Sequence, residues 1–417
     1  MSQSASFCDK DPESLPLEEA LRRILSQVQP SGGRETLPLK AAAGRVLADA
    51  LHSALDVPPE RVSAMDGYAV RFADLPATAP FRLPLAGKSL AGHPFAGALP
   101  EAQAVRITTG AVVPEGADTI IIQEVTEQQG GHLHVHEFPR AGQYVRAAGS
   151  DIQAGSTLLP AHTALSPAAL GLAAAAGYAE LSVVAKPRVA VFSTGDELVA
   201  PGHTAALGQI YDSNSSTLYG LLMRNGCDVD DLGIVRDTPE ALDAAFVRAA
   251  SADVIISTGG VSVGEADFVK DTLARHGRMQ LWKIAVKPGK PLTFGVLDSG
   301  ALFFGLPGNP VSGVVTFALF VRPALQRLQG LPPTQALSLP ALCTDTLRKA
   351  PGRREFQRGI LRSGPDGRLQ VSTTGEQESH ILSSLRQANC FVVLSEQSDG
   401  ARPGDQVSVI PFSELGL

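Results

Sequence analysis

The feature that most constrains the fold is an alternation of short apolar runs and helical stretches between residues 186 and 330. The apolar runs are rich in β-branched and aromatic residues, and they are RVAVFSTG, DVIISTGG, LWKIAV and ALFFGLPG. Strand–helix alternation of this kind is typical of a parallel sheet covered by helices on both faces. Such sheets bind ligands in the loops beyond the carboxyl ends of their strands. The sequence therefore predicts an α/β domain with a ligand crevice at one edge of its sheet.

The rest of the chain shows other patterns of apolar residues, which predict helical and β regions. Residues 14–29 place their apolar side chains on one helical face, and KAAAGRVLADAL (40–51) and SPAALGLAAAAGY (166–178) predict two further helices. Short apolar runs alternate with Gly and Pro from 56 to 145, as expected of a small β domain. Residues GLPP at 330–333 have the composition of a linker, and after them the β pattern returns and continues through residue 417.

Composition excludes several classes of protein. The net charge of −7 argues against nonspecific nucleic-acid binding, which requires a basic surface. The cysteines Cys8, Cys227, Cys343 and Cys390 are far apart and form no CxxC pair, which favours reduced thiols over disulfides or a zinc finger. We see no signal peptide and no segment apolar enough to span a membrane. The sequence therefore predicts a cytoplasmic protein that binds neither nucleic acid nor membrane.

Four loops of the α/β region share one design, in which a strand ends, small residues follow and a helix begins. Glycines such as Gly259 and Gly260 suit a backbone that must approach a ligand closely, and Asn309 with Pro310 is typical of a helix start. Helix starts carry unpaired N–H groups and favour anions. We predict a phosphate-binding crevice, with simple turn chemistry as the alternative. The loops are STGDEL (193–198), IYDSNS (210–215), STGGVSVGEAD (257–267) and GLPGNPVSG (305–313).

Carboxylates lie in or near the same loops. For Glu197, Asp237 and Asp267 we predict Mg²⁺ binding, because Mg²⁺ takes a few carboxylates, retains water and bridges phosphate oxygens. N-capping of helices is the alternative explanation, and we prefer it for Asp212 and Glu265. The combination of backbone amides with acids is thus explained by a phosphate and the metal that neutralises it.

A group of lysines follows in WKIAVKPGKPLTFG (282–295). Lys283 and Lys287 are four positions apart, so on a strand they share a face, and a Pro-Gly turn separates Lys287 from Lys290. Beside a phosphate crevice these lysines favour anion binding, whereas a solvated sheet edge is the alternative.

Three histidines, His132, His134 and His136, alternate along HLHVHEF and would share one strand face. A metal site is conceivable for them, but no acid or cysteine accompanies them in the sequence. We therefore interpret them as a solvated face.

As a set, the motifs of this chain resemble those of the molybdopterin molybdenumtransferases, the family that includes the E domain of gephyrin. The resemblance extends from about residue 15 to 415. At one place the chain departs from the family pattern, because Arg61-Val62 replaces an Asp-Asn pair that commonly precedes SAM. The motifs, in order, are SAMDGYAV, RITTGAVVP, STGDEL, YDSNS, STGGVSVGEADFVKD, WKIAVKPGKP, GLPGNPVS, FQRG and TTGEQES.

This resemblance implies a multidomain fold of α/β and β parts. The expected parts are a helical linker domain (1–55 and 146–185), an inserted β domain (56–145), an α/β molybdopterin-binding domain (186–330) and a C-terminal β-barrel (331–417). The resemblance also implies a homodimer whose active site lies between the α/β domain of one subunit and the inserted domain of the other. A molybdopterin adenylyltransferase and molybdoenzyme maturation proteins are candidate partners.

The implied reaction inserts molybdate into adenylylated molybdopterin and releases AMP in the presence of Mg²⁺. The resemblance places catalytic or substrate-binding roles on Asp66, Thr109, Asp151, Glu197, Asp237, Asp267, Lys283 and Lys287. It places contacts to molybdate or the cofactor on Ser262, Lys287, Lys290, Pro291, Arg358 and Ser379. Three other functions remain as alternatives: a molybdopterin adenylyltransferase, a non-enzymatic scaffold similar to gephyrin, and a nucleotide or pyrophosphate hydrolase that uses the same α/β domain.

Overall fold

A computed structural model describes residues 14–259 and 275–417 of the chain. The chain divides into two compact units. The larger unit comprises Met1–Glu35 and Val184–Leu417, and the smaller unit comprises Thr36–Val183. In the described part of the chain, no helix has both the length and the apolar character needed to cross a membrane.

Helices and strands are distributed along the whole described chain. The α-helices are α1 (Leu17–Gln27), α2 (Pro167–Ala175), α3 (Asn214–Arg224), α4 (Pro239–Arg248), α5 (Pro310–Thr316), α6 (Arg322–Leu328) and α7 (Leu382–Gln387). A π-helical segment, Phe317–Val321, joins α5 to α6, and short 3-10 helices occur at Leu39–Ala42, Phe72–Asp74, Gln123–Val125 and Phe412–Leu415.

The strands of the first half are β1 (Arg34–Pro38), β2 (Leu51–His52), β3 (Val62–Ser63), β4 (Gly67–Val70), β5 (Phe81–Ser89), β6 (Ala104–Ile107), β7 (Thr119–Ile122), β8 (Thr126–Gln129), β9 (His132–Val135), β10 (Val145–Arg146), β11 (Thr157–Leu159) and β12 (Glu180–Val184). Those of the α/β region are β13 (Arg188–Thr194), β14 (Leu198–Val199), β15 (Ile210–Tyr211), β16 (Asp228–Val235), β17 (Val254–Thr258), β18 (Gly277–Lys283), β19 (Val286–Lys287), β20 (Pro291–Leu297) and β21 (Leu302–Leu306). The last are β22 (Leu339–Cys343), β23 (Leu347–Arg348), β24 (Arg354–Ser363), β25 (Leu369–Thr373), β26 (Cys390–Leu394), β27 (Gly400–Ala401) and β28 (Gln406–Pro411).

The smaller unit is built around a six-stranded sheet with the order β7-β4-β6-β5-β9-β8. Apolar residues alternate between its two faces, so that Tyr68 and Val70 join one buried cluster and Ala69 joins another. Helix α2 packs with short strand pairs, including β2–β11, around a separate core.

One predicted helix, KAAAGRVLADAL (40–51), is wrong. Only the short 3-10 helix Leu39–Ala42 forms, and Gly44 then takes a positive φ of 73° that ends it. Val46 and Leu47 instead form β-bridges to Ala164 and Val183. Their apolar spacing reflects burial in extended backbone, which a helical periodicity cannot distinguish over so short a stretch.

The α/β region of the larger unit contains a six-stranded sheet with the order β16-β13-β17-β21-β20-β18. The strands β16, β13, β17 and β21 run parallel, whereas β20 and β18 pair antiparallel. The central strands are buried on both faces: Val189 and Val191 join the cluster that includes α3 and α6, and Ala190 and Phe192 join the cluster that includes α4. The long apolar runs seen in the sequence follow from this two-sided burial.

The C-terminal strands close into a five-stranded barrel. Its strands pair in the order β24-β25-β22-β28-β26, and β26 pairs back with β24 to complete the ring. Strand β19, which lies between β18 and β20 in sequence, adds to β24 in parallel. The predicted fold class, an α/β part with an additional β domain and a C-terminal barrel, is confirmed.

Candidate functional site

The predicted ligand loops meet at one edge of the α/β sheet. The parallel register pairs Ser193 with Thr258 and Thr258 with Leu306, so β13, β17 and β21 end side by side. Just below this edge, the hydroxyls of Ser193 and Thr258 lie 3.0 Å apart and are buried. The loops that follow these strands therefore start from a fixed and well-packed base.

Gly259 occupies a position that only glycine fits. Its φ is +84°, and a Cβ at this residue would collide with the carbonyl oxygen of Thr194 on the neighbouring strand. Gly308 is also close, because its added Cβ would lie 3.6 Å from the Gly259 Cα. Within the described residues, the backbone of Gly259 is thus approached by neighbouring loops, and its contact with a ligand stays a prediction. Gly260, Ser262, Glu265 and Asp267 lie outside the described residues.

Gly259→Ala is therefore expected to lower the free energy of unfolding by about 3 kcal/mol or more, from left-handed strain together with the steric overlap. Gly300 is a matched control, because its φ is +87° but an added Cβ would meet nothing within 4 Å. Gly300→Ala should cost only the strain, about 1–2 kcal/mol. Urea denaturation of both variants measures the difference, and equal losses would contradict the proposed overlap with Thr194.

The two described carboxylates of the predicted metal site have different settings. Asp237 is half-buried and lies two residues after the end of β16, but the cap of α4 is Thr238, whose hydroxyl accepts from the Ala241 N–H at 3.3 Å. Glu197 is exposed, and its carboxylate lies against the backbone of Gly195. A Cβ added at Gly195 would be 2.6 Å from Glu197 Oε2. Neither side chain is thus explained as a helix cap.

Asp212 has the structural role that the sequence favoured. Its side chain is buried, and Oδ1 accepts hydrogen bonds from the backbone N–H groups of Asn214 and Ser215 at 3.0 and 3.1 Å. Within residues 14–259 and 275–417, no group of three His, Cys, Asp or Glu side chains is arranged to hold a metal ion. The predicted set of Glu197, Asp237 and Asp267 remains a prediction, since one member lies outside the described residues.

The start of α5 offers fewer free donors than the sequence suggested. Asn309 is the exposed N-cap residue, but its side chain makes no capping hydrogen bond, and Pro310 has no N–H. The N–H of Val311 donates to the carbonyl of Ser379 in the barrel at 3.1 Å. The amide of Asn214 donates to the carbonyl of Gly308 at 2.7 Å, which ties two of the predicted loops together. The exposed side chain of Asn309 is thus the polar group that this loop offers to a ligand.

The lysine segment forms a tight loop between the sheet and the barrel. Lys283 ends β18 opposite Pro291, and the Ile284 N–H donates to the Lys290 carbonyl at 2.7 Å. Lys287 lies in β19 and is the register partner of Glu355 on the barrel strand β24. The structure thus brings the predicted anion-binding lysines to the junction of two domains of the larger unit.

Arg358 is buried rather than exposed at this junction. The residue is only 1% exposed, and its guanidinium donates to Ser384 Oγ at 2.9 Å and to the backbone carbonyls of Glu376, Gln377 and Glu378. Burial lowers the pKa of this guanidinium to about 10. These hydrogen bonds of Arg358 fix the backbone of the loop that carries Ser379.

The smaller unit brings together two residues that are distant in sequence. Oδ1 of Asp66 accepts hydrogen bonds from the backbone N–H of Thr109 at 2.7 Å and from its hydroxyl at 2.8 Å. These bonds, the backbone one first, hold the pKa of Asp66 below its ordinary value, and Arg106 adds a smaller effect. Asp151, the third predicted residue of this unit, is exposed and donates its N–H to the Val57 carbonyl.

Thr109→Val should raise the pKa of Asp66 part of the way to its ordinary value, because the hydroxyl is lost and the N–H remains. Both hydrogen bonds favour the charged carboxylate of Asp66 and so lower its pKa. Their contribution to the free energy of unfolding is fully present above the ordinary pKa of an aspartate, and it is lost as pH falls through the lowered pKa. Thr108→Val is the control, since the Thr108 hydroxyl accepts from Ala91. Carboxyl NMR during a pH titration measures both variants, and identical titrations would contradict this account.

Sequence reasoning missed Glu355 as a functional candidate. It lies three residues before Arg358 in REFQRG, and its burial and its proximity to Lys287 depend on strand pairing that the sequence does not encode locally. Alternation along REFQRG gives no signal for it, because the apolar Phe356 has the opposite parity to Glu355.

Comparisons with known proteins agree along the chain. Residues 15–177 match the model of the MoeA N-terminal region (domain I and II), residues 190–327 match a probable molybdopterin binding domain, and residues 340–412 match the MoeA C-terminal region (domain IV).

Relatives of similar length carry one name. A protein of Haemophilus influenzae named molybdopterin molybdenumtransferase is 43% identical over 96% of this chain and 99% of its own length. One of Nostoc sp. with the same name is 39% identical over 86% of this chain and 84% of its own length. A crystal structure of the molybdopterin biosynthesis moeA protein from Pyrococcus horikoshii OT3 superposes with a TM-score of 0.82, at 27% identity, over 95% of this chain and 100% of that one.

Proposed function

The chain belongs to the molybdopterin molybdenumtransferase family, an enzyme family of molybdenum cofactor biosynthesis, and from this premise we propose that it inserts molybdate into adenylylated molybdopterin and releases AMP. The observation that carries the proposal is that α5, which follows a strand-end loop, contacts both the Ser379 loop and the turn between Lys287 and Lys290: the Val311 N–H donates to the Ser379 carbonyl at 3.1 Å, and a Cβ added at Gly289 would lie 2.8 Å from Thr316 Cγ2. A molybdopterin-related substrate follows from the family, whereas the adenylyl group, AMP release and Mg²⁺ dependence belong to this proposal.

The release of AMP requires water to attack one phosphorus of the phosphoanhydride, with the bridging oxygen leaving on the other phosphate. Asp237 is the described candidate that positions this water or takes its proton, and Asp267 is the second candidate. Lys283 and Lys287 stabilise negative charge on the phosphate oxygens as the bond breaks. Strong stabilisation by these cations requires the partly water-excluded edge at which the loops converge.

Molybdate is a dianion and is recognised by cations and hydroxyl or amide donors. Lys287 and Lys290 supply the cations, and Ser379 supplies a polar group on the loop that Arg358 holds. Ser262 and Pro291 complete the proposed site. The sulfur ligands of molybdenum are the dithiolene thiolates of the substrate, so the chemistry uses none of the protein cysteines, of which Cys227, Cys343 and Cys390 are buried.

The carboxylates Glu197 and Asp237 suit Mg²⁺ as a donor set, because hard cations prefer oxygen ligands. Glu197 is exposed at the loop edge, where a carboxylate can reach a phosphate-bound ion. Asp267 is the proposed third ligand. When bound, Mg²⁺ would neutralise charge on the phosphate oxygens and help AMP to leave.

We also propose a cytoplasmic homodimer in which Asp66 of one subunit acts with Asp237 of the other. Asp66→Ala and Asp237→Ala should each be inactive alone, but mixed heterodimers contain one intact site. Random exchange should therefore restore about a quarter of wild-type activity, because half of the dimers are mixed and each has one of two sites intact. Confirmed subunit exchange without recovered activity would exclude the shared site.

The substrate distinguishes this proposal from the alternatives. Purified protein incubated with adenylylated molybdopterin should release AMP faster when molybdate is added. An adenylyltransferase would instead convert ATP and molybdopterin into adenylylated molybdopterin, and a scaffold would do neither. AMP release that is indifferent to molybdate would leave only the hydrolase alternative.

A further inference from the structure

Glu355 is a buried carboxylate at the junction of the barrel with the α/β domain. The residue is 5% exposed, and its Oε2 accepts a hydrogen bond from Gln357 Nε2 at 2.8 Å. The same Gln357 amide donates to the carbonyl of Arg348 at 2.9 Å, which fixes its orientation. A carboxylate that is removed from water to this extent requires a charged or hydrogen-bonding partner for each oxygen.

Lys287 is the partner of the second oxygen. Its Nζ lies 3.3 Å from Glu355 Oε1, and the two side chains differ in exposure, with 49% for the lysine and 6% for the glutamate. An ammonium group has three N–H donors, of which Glu355 takes one. In the described part of the chain, Glu355 is the acceptor that pairs with this ammonium, and about half of the lysine side chain remains accessible to a second acceptor from solvent.

The backbone reinforces this pairing. Lys287 and Glu355 are direct register partners in the parallel pair β19–β24, and the neighbouring Arg354 N–H donates to the Ala285 carbonyl at 3.0 Å. Both ends of the ion pair are therefore attached to strands that are themselves hydrogen-bonded. A lysine side chain has many rotamers, and an acid fixed at this distance restricts them before an anion arrives.

We propose that Glu355 is a positioning residue for the oxyanion site: it holds the Lys287 ammonium in the orientation that binds molybdate. The proposal rests on the proposed function, because it takes Lys287 to be an anion ligand. It extends that function to a residue with no direct contact to the substrate. Gln357 is the group that holds Glu355 in turn.

A simple charge effect predicts the opposite result. A negative charge near an anion site opposes anion binding, so its removal by Glu355→Gln would tighten molybdate binding if charge alone mattered. A positioning role predicts weaker binding, because the lysine loses its anchor. The direction of the change therefore separates the two explanations.

The test is a double-mutant cycle on the full-length protein with Glu355→Gln, Lys287→Met and the double variant. Molybdate binding is measured directly by equilibrium dialysis, and the half-saturating molybdate concentration is measured in the AMP-release assay. Glu355→Gln should weaken molybdate binding roughly 3- to 30-fold, within the range of couplings between contacting residues, with a smaller effect on the substrate concentration required. In the Lys287→Met background, the same change should have no further effect.

Glu396→Gln is the matched control. Glu396 is an acid of the barrel domain whose carboxylate lies 2.9 Å from the guanidinium of Arg354, the residue before Glu355. It lies outside the proposed site. Its molybdate binding should equal that of the wild type. Glu355→Asp retains the charge but shortens the side chain, so it provides the same direction of effect should Glu355→Gln fail to fold.

Three outcomes would overturn the proposal. Tighter binding in Glu355→Gln would indicate a charge effect only. If Glu355→Gln weakened molybdate binding equally in the wild-type and Lys287→Met backgrounds, Glu355 would stabilise the barrel without acting through the lysine. Unchanged binding in Lys287→Met would refute the role of Lys287 in the proposed function as well, and this result is separate from the other two.

Discussion

Replacement of Asp237 by asparagine is expected to lower the rate of AMP release by ~10²-fold or more, the scale on which enzymes lose a catalytic acid–base or metal-positioning group. Asn is close to isosteric with Asp, so the fold should be retained. Asp237 follows a strand at the ligand edge of the sheet, and Thr238 already supplies the cap of the next helix. Its charge is therefore not required to start that helix.

Asp253→Asn serves as the control for this result. Asp253 precedes β17 at the opposite edge of the sheet, where its carboxylate accepts from the Arg188 N–H at 2.7 Å. This variant should lose some stability but little turnover. Single-turnover AMP release at saturating Mg²⁺ compares the two variants. Near-normal rates in Asp237→Asn and also in Asp267→Asn would remove both residues from the mechanism.

Replacement of Arg358 by alanine is expected to raise the half-saturating molybdate concentration by ~10–100-fold, with a much smaller change for the pterin substrate. The guanidinium is buried and donates to three consecutive loop carbonyls, so its loss should disorder the loop that carries Ser379. It should also destabilise the protein by about 3 kcal/mol or more, because buried acceptors are left without donors.

Arg358→Lys is the informative companion variant. Lysine retains the positive charge but cannot make the fork of bonds to Ser384 and the backbone carbonyls. If Arg358 acts by fixing the conformation of the loop, Arg358→Lys should raise the half-saturating molybdate concentration nearly as much as Arg358→Ala. Molybdate and pterin are titrated separately at a temperature where both variants are folded. Full rescue by lysine would indicate that charge, rather than loop geometry, is the contribution of Arg358.

Much of the fold was predictable because the local pattern and the burial coincide. The continuous apolar runs of β13, β17 and β21 reflect strands buried on both faces, and the small residues after them mark the ligand edge. The alternation of His132 and His134 likewise predicted one strand face, and these residues are exposed and half-exposed on β9.

The parts that could not be predicted depend on contacts between distant segments. The periodicity of residues 40–51 suits a helix, yet Val46 and Leu47 are extended because their partners, Ala164 and Val183, are more than a hundred residues away. The resemblance implied a contact of Arg358 with molybdate, but its burial and its bonds to the loop at 376–378 depend on a segment about twenty residues away. Glu355 was missed for the same reason, since only the pairing of β19 with β24 places it beside Lys287.

AMP release and molybdenum insertion are proposed to be one coupled reaction. The direct measurement is the amount of molybdenum in the protein-bound and released pterin, by elemental analysis, against the amount of AMP formed in the same incubation. About one molybdenum per AMP is expected, because each adenylylated molybdopterin has one dithiolene that binds molybdenum and one adenylyl group that leaves as AMP. AMP formed at the same rate without molybdate, or with no molybdenum in the pterin, would contradict it.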